Sequence, residues 1–305
     1  MIKYALIATL LKLFSTCPQM KSLYRNICNI IGSRQRFRMG LPKYNIERGQ
    51  VILELVKKYN AIHNGDRLLE LGTGWLHCES TFLRLFYDVN ITLFDIWDNR
   101  QLKPFKRYFA ELNKVIDSEI VMAPTQRQHV HDLISTISSI NSFDDLYHLL
   151  GFQYVIEPSG TLRKFQEESY NAIYSCDVLE HISEDILSEY ILDFYRLLKP
   201  GGYSIHTIDI GDHISYYGRN VSRKNYLRYS DKSWKRFFEN EVQYFNRIQR
   251  SRWLSLFQQA GLELVDEESQ YCDIGITIDK KYRNYNRKDL ECTVLRVIHR
   301  KPEIV

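Results

Sequence analysis

The stretch RLLELGTGWLHCE, residues 67–79, sets an apolar run ending in Glu70 against Gly72 and Gly74. Glycine adopts backbone angles that a side chain forbids, so the pair predicts a tight turn over which backbone can approach a ligand closely. A second acid, Asp95, closes the run NITLFDI, about 25 residues beyond Glu70. A carboxylate placed there can accept bonds from both hydroxyls of a ribose. Farther along, TIDIGDH puts His213 directly after a strand-like run, with Asp212 beside it and Asp209 nearby. Histidine titrates near neutrality and an adjacent carboxylate can orient its ring, so His213 is a candidate general base, with Asp212 as its helper. His181, in VLEHI, is a weaker candidate, expected to pack against or cap the helix that follows. His129 and His131 lack a partner cluster at ligand spacing, and Asp209, Asp212 and His213 are generically spaced, so no metal site is expected.

These residues need a scaffold that brings strand ends together. Residues 67–71 read as a short buried strand, GTG as a turn, and WLHCESTFLRLF has helical spacing. Strand, glycine turn, helix and a second strand ending in an acid form a nucleoside-binding layout. The dinucleotide fingerprint G-x-G-x-x-G would need glycine at position 77, where the chain has His77, so nicotinamide binding is disfavoured. Downstream, NAIYSC reads as a buried strand and SEDILSEYILDFYRLL as an amphipathic helix. KPGG reads as the turn that stops this helix before the strand YSIHTI.

ELGTG resembles the first motif of the class I S-adenosylmethionine-dependent methyltransferases. SYNAIYSCDVLEHI and LLKPGGYSIHTI resemble that superfamily's fourth strand, following helix and fifth strand, in the same order and spacing. The resemblance covers about residues 48–100 and 153–210, and LELVDEES and CTVLRVIHR supply a sixth and seventh strand. It implies an α/β chain with the Rossmann-like class I methyltransferase fold: a mostly parallel seven-stranded sheet whose last strand is antiparallel, with helical insertions. The cofactor it implies is S-adenosylmethionine. Glu70 resembles the acid near the methionine amino group, and Gly72, Thr73 and Gly74 the turn that passes under the cofactor. Asp95 resembles the ribose acid, and Asp177 falls at the end of the fourth strand, in the same set. Two departures stand out. Leu76 takes the place of the third glycine often found in the motif. Ser159 aligns with the acid often beside adenine, with Glu157 as an alternative contact.

The chain has 305 residues, 44% of them hydrophobic and 26% charged, which suits a folded globule rather than a disordered chain. Six scattered cysteines read as reduced thiols in a cytoplasmic protein. A helical extension is expected over residues 1–47 and the methyltransferase domain over 48–305. Within that domain, a helical insertion is expected at about 101–152 and a basic aromatic substrate cap at about 212–253. The N-terminal run MIKYALIATLLKLF is too short to span a bilayer and reads as an amphipathic helix that packs on the domain or lies on a membrane surface, on its inner face. Between residues 213 and 253, ten lysines and arginines, Arg219 among them, stand against three acids. Tyr216, Arg223 and Arg228 are the candidate substrate contacts.

That segment also looks like the C-terminal part of bacterial methyltransferases that accompany polysaccharide or other glycan synthesis. The expected acceptor is a small or glycan-type, anionic molecule, and the expected reaction O-methylation. A cofactor-binding scaffold without catalysis, and a basic module for anionic lipid or RNA, are the alternatives. The net charge of +4 and the lack of an RNA-binding module do not point to nucleic acid. Oligomeric state is left open by the sequence.

Overall fold

A computed structural model describes residues 2–39, 43–218 and 220–303; Arg219, counted above among the bases, lies outside the described residues. In chain order the helices are α1 (Ile2–Phe14), α2 (Pro18–Met39), α3 (Lys43–Tyr59), α4 (Cys78–Phe86), α5 (Leu102–Glu119) and α6 (Pro124–Ser139). They continue with α7 (Phe143–Leu150), α8 (Glu184–Leu197), α9 (Asp231–Phe237), α10 (Arg250–Gln259) and α11 (Arg287–Glu291). The strands are β1 (Arg67–Leu71), β2 (Asn90–Asp95), β3 (Phe152–Ile156), β4 (Tyr170–Cys176), β5 (Leu198–Asp209), β6 (Glu263–Tyr271) and β7 (Cys292–Arg300).

The strands form one sheet in the order β3-β2-β1-β4-β5-β7-β6. β1 pairs in parallel with β2 and β4, β2 pairs in parallel with β3, and β7 runs antiparallel to β6. This is the Rossmann-like methyltransferase architecture anticipated from the motifs. One local expectation changes: KPGG is not a turn outside the sheet, because α8 stops at Leu197 and β5 begins at Leu198. Gly201, at φ 78°, lets the chain redirect within the extended run.

The chain divides into two compact units. One comprises Asn29–Ser175 and Arg196–Tyr203; the other holds most of the remaining described residues. In the first unit, β1 and β2 bury nearly every side chain, as expected of strands covered on both faces. α5 buries Phe105, Tyr108, Phe109, Leu112 and Ile116, the spacing of one helical face. α7 starts where Ser142 accepts from the Asp145 N–H and stops at Gly151, in the left-handed region. His131 bridges α6 to α5 through Asn113 (2.8 Å) and Asp117 (3.1 Å), a structural use of that imidazole. Among the described residues no cluster of ligating side chains could hold a metal ion.

In the second unit, Tyr4, Ala8 and Leu11 of α1 join Ile214, Tyr226, Leu227, Trp234, Phe238, Phe245, Tyr282 and Leu290 in one apolar core. Tyr226, Trp234, Phe238 and Phe245 of 212–253 thus serve this core, whereas Tyr216 and Tyr217 are exposed. α1 is fastened by the Tyr4 hydroxyl, which donates to Asp212 at 2.7 Å in a buried setting. Tyr4→Phe deletes that donor while keeping the ring. Leaving a buried carboxyl one donor short should cost about 1–3 kcal/mol. The check is urea denaturation, with a lower midpoint and an unchanged slope expected.

Candidate functional site

The glycine turn is held in place by the neighbouring strand. Gly72 and Gly74 have φ 65° and 61°, and the Gly72 and Thr73 N–H groups donate to the Phe94 carbonyl at 2.8 and 3.3 Å. Asp95 completes the clasp: Oδ2 accepts from the Gly74 N–H at 3.1 Å and Oδ1 from the Ile96 N–H at 2.8 Å. The Trp97 N–H and the Asn99 side chain also hydrogen-bond this carboxylate, so a ligand's hydroxyls would share or replace donors of the loop after β2. A Cβ built on Gly74 would meet nothing closer than the Gly72 carbonyl, at 4.0 Å, so the turn presents bare backbone beside open space. These features fit a nucleoside cofactor.

Two residues of this stretch, Glu70 and Leu76, are buried. Glu70 is only 2% exposed, and its Oε2 accepts from Thr73 (3.0 Å) and from Ser80, whose hydroxyl also contacts Tyr174. Burial, with the Glu79 charge nearby, pushes its pKa up to about 8. Its Oε2 therefore braces the turn from within the protein. Leu76, at the place of the third glycine, is a core side chain at 4% exposure.

His77 went unassigned in the sequence. It has φ 47° and is fully buried, with Nδ1 2.8 Å from the Thr73 hydroxyl and Nε2 3.0 Å from the Tyr147 hydroxyl. Burial lowers its pKa to about 3, so the ring is a neutral strut. The available signal was its place: a bulky residue where a related turn carries glycine.

Beyond β3, the Ser159 hydroxyl donates to Glu157 at 2.8 Å, and the Glu157 N–H donates to the Asp95 carbonyl at 2.9 Å. The Ser159 hydroxyl, and next Lys164, hold the Glu157 carboxylate below its usual range. Register aligns Leu71 with Phe94 and Asp95 with Ile156, so the turn, Asp95, and Glu157 with Ser159 follow the carboxyl ends of three adjacent parallel strands. Ligands of open parallel sheets bind at such ends.

In the other unit, Asp177 follows β4 at φ 56°, its N–H donating to the Thr207 carbonyl at 3.0 Å. His213 follows β5 and lies 3.7 Å from Asp209, edge-on to His181 (ring centroids 5.0 Å) and stacked on Phe245 (4.7 Å). His181 is anchored through Nδ1, 2.6 Å from the Tyr244 carbonyl. Burial, then the His181 ring, lowers the His213 pKa to about 4, against the opposing pull of Asp209. His213 Nε2 is buried without a hydrogen-bond partner.

The expected helper is corrected: Asp212 does not orient His213. Its Oδ1 accepts from the Ile214 and Ser215 N–H groups and its Oδ2 from Tyr4, and burial lifts its pKa to about 7. Asp209 is the carboxylate beside the ring, and it is gripped by the Tyr216 hydroxyl and by Arg223 at 3.2 Å. The guanidinium of Arg223 also stacks 4.6 Å over the Tyr216 ring.

Glu180 was missed in the sequence and is fully buried. Burial, with Asp177 and Asp209 nearby, holds its pKa well above the usual range, against the opposing pull of the Glu180 and Asp209 backbone N–H groups.

The positive field of the cap is smaller than its composition suggests. Lys224 is fully buried, donating to the Ile210 and Cys292 carbonyls, and Arg247 and Arg250 pair with Asp231 and Glu267. Arg228 stays exposed.

A parallel sheet with a glycine turn and an acid at adjacent strand ends defines a Rossmann-like, nucleoside-cofactor-binding enzyme class. The family model described as a methyltransferase domain matches residues 44–267, and the chain belongs to that family. It is an S-adenosylmethionine-dependent methyltransferase. No curated protein matches the chain significantly. Among solved structures it is similar to the [4+2]-cyclase SpnF, at 14% identity and TM-score 0.47, covering 84% of this chain and 81% of that one. It is also similar to a 1,6-didemethyltoxoflavin-N1-methyltransferase of Burkholderia thailandensis, at 14% identity and TM-score 0.45, covering 85% and 79%. A third is a phosphoethanolamine N-methyltransferase 2 of Haemonchus contortus, at 13% identity and TM-score 0.46, covering 83% of this chain and 53% of that one.

Proposed function

We propose that this methyltransferase transfers a methyl group to a hydroxyl of a small or glycan-type acceptor, with His213 receiving the proton. The observation that carries the reading is the buried, unbonded Nε2 of His213 at the end of β5, beside Asp209. S-adenosylmethionine, when bound, supplies a methyl group made electrophilic by its sulfonium. The protein has to hold the two reactants, exclude water and accept a proton. The glycine turn receives the cofactor, and Asp95 accepts its ribose hydroxyls. Glu157 and Ser159 stand at the next strand end for the adenine side.

His213 is neutral at pH 7, which leaves it able to accept a proton. A base of low pKa suffices, because the acceptor hydroxyl becomes strongly acidic as its oxygen gains the methyl group. Asp209 then stabilises the imidazolium, while Tyr216 and Arg223 act through Asp209 by fixing it. The exposed Arg228 is the cap residue suited to an anionic group on the acceptor.

The test is untargeted mass spectrometry of extracts incubated with purified protein and cofactor. A one-methyl gain on oxygen is expected, and a gain on nitrogen overturns the hydroxyl assignment. A second reading, an amine acceptor, is favoured by the Asp177 and Asp209 charges that both act on Glu180 beside the imidazoles, since they suit a cation.

Asp95→Ala should weaken S-adenosylhomocysteine binding about 10–100-fold, as it removes charge-assisted bonds to the ribose. Because Asp95 also clasps Gly74, the comparison variant is Asp95→Asn, which keeps an acceptor oxygen. Calorimetric titration should rank Asn between wild type and Ala; equal affinity in all three removes Asp95 as the ribose acid.

A further inference from the structure

α1 is apolar on two faces. Tyr4, Ala8 and Leu11 pack into the core of their unit, while Leu6, Leu10 and Leu13 on another face are 65%, 51% and 54% exposed. A helix apolar all round is normally buried all round, so packing within the chain accounts for only one side. α2 shows the same excess: Leu23, Ile27, Ile30 and Ile31 share a helical face and are 46%, 37%, 55% and 57% exposed. Arg34 and Arg38 continue that face toward the end of the helix and are exposed. Residues 1–46 contain eight lysines and arginines and no aspartate or glutamate. In the rest of the chain acids outnumber bases, so the positive charge is concentrated in this helical segment.

We propose that α1 and α2 form an interfacial anchor that seats the enzyme on a bilayer containing anionic phospholipid. Leucines and isoleucines enter the acyl boundary while the arginines meet lipid phosphates, so one occupant satisfies both features. Nucleic acid would engage the bases and leave the apolar stripes in water. A second copy would bring one base-rich, acid-free segment against another, and the like charges would repel. Among the described residues no helix is long and apolar enough to cross a membrane, so the attachment is to the surface.

The test is co-sedimentation of the full chain with vesicles of phosphatidylcholine alone or mixed with phosphatidylglycerol. Binding to the anionic vesicles and weakening by salt are expected. Arg34→Gln combined with Arg38→Gln should lower vesicle affinity about 30-fold. Leu10→Glu with Ile30→Glu should abolish sedimentation while S-adenosylhomocysteine affinity stays at the wild-type value, since both positions are exposed. Wild-type protein that stays in the supernatant at low salt overturns the proposal. So does undiminished binding by the Leu10→Glu, Ile30→Glu variant. Capture by polyglutamate without vesicle binding overturns it in favour of an acidic protein partner.

Discussion

His213→Ala should depress turnover on a hydroxyl acceptor by about 10²–10⁴-fold, with S-adenosylhomocysteine affinity retained. The expectation follows from coupling: carbon–oxygen bond formation leaves a proton that must depart, and His213 offers a buried Nε2 with no hydrogen-bond partner. Its pH dependence has a definite sign. The working form is the neutral ring, and burial together with His181 lowers its pKa to about 4. The wild-type rate should therefore rise with pH through about 4 and be level across the neutral range. An imidazole of ordinary pKa would give its limb near 6.5 instead. Asp209→Asn should produce a smaller loss, because it removes the charge that stabilises the imidazolium and leaves the ring in place. A folded His213→Ala enzyme with wild-type turnover and pH profile would remove His213 as the base and strengthen the amine reading.

Gly74→Val should lower S-adenosylhomocysteine affinity by about 10²-fold, from two effects acting together. At φ 61° a β-branched residue is strained, which should cost about 1–3 kcal/mol of stability if the turn keeps its shape. If the turn relaxes instead, the Gly74 N–H moves off Asp95 and the clasp opens. In either case the isopropyl group occupies the open space that a Cβ at this position now finds empty to 4.0 Å. Gly74→Ala separates the effects, since it carries most of the backbone strain and little of the volume. Calorimetry should place it between wild type and valine, and thermal denaturation should show similar destabilisation for both. A folded valine variant with undiminished affinity would show that the cofactor does not lie over this turn.

Much of the cofactor half of the site could be read from sequence because it is local. Gly72 and Gly74 declare their turn by residue type, since their positive φ values are open to few other residues. Asp95 is placed by the length of one strand–helix–strand unit, and parallel pairing then carries it to the strand end beside the turn. The apolar runs fixed which segments became strands, and the resemblance of three motifs ordered them.

Partner choice was not local, and only the tertiary structure decided it. Asp212 is next to His213 in the chain, yet consecutive side chains diverge. Asp212 turns to the backbone N–H groups of its own turn and to Tyr4, which comes from the far N-terminus. Asp209, four residues back, faces the ring instead. Lys224 counted as surface charge by composition, but two carbonyls at the ends of β5 and β7 meet its ammonium in the interior. Glu70 has the residue type of a ligand contact, and only the positions of Ser80 and Thr73 show that its carboxyl points into the protein. Residue type and spacing fix backbone geometry over a few residues. Which groups face one another across the fold depends on where distant chain returns, and that information lies in packing.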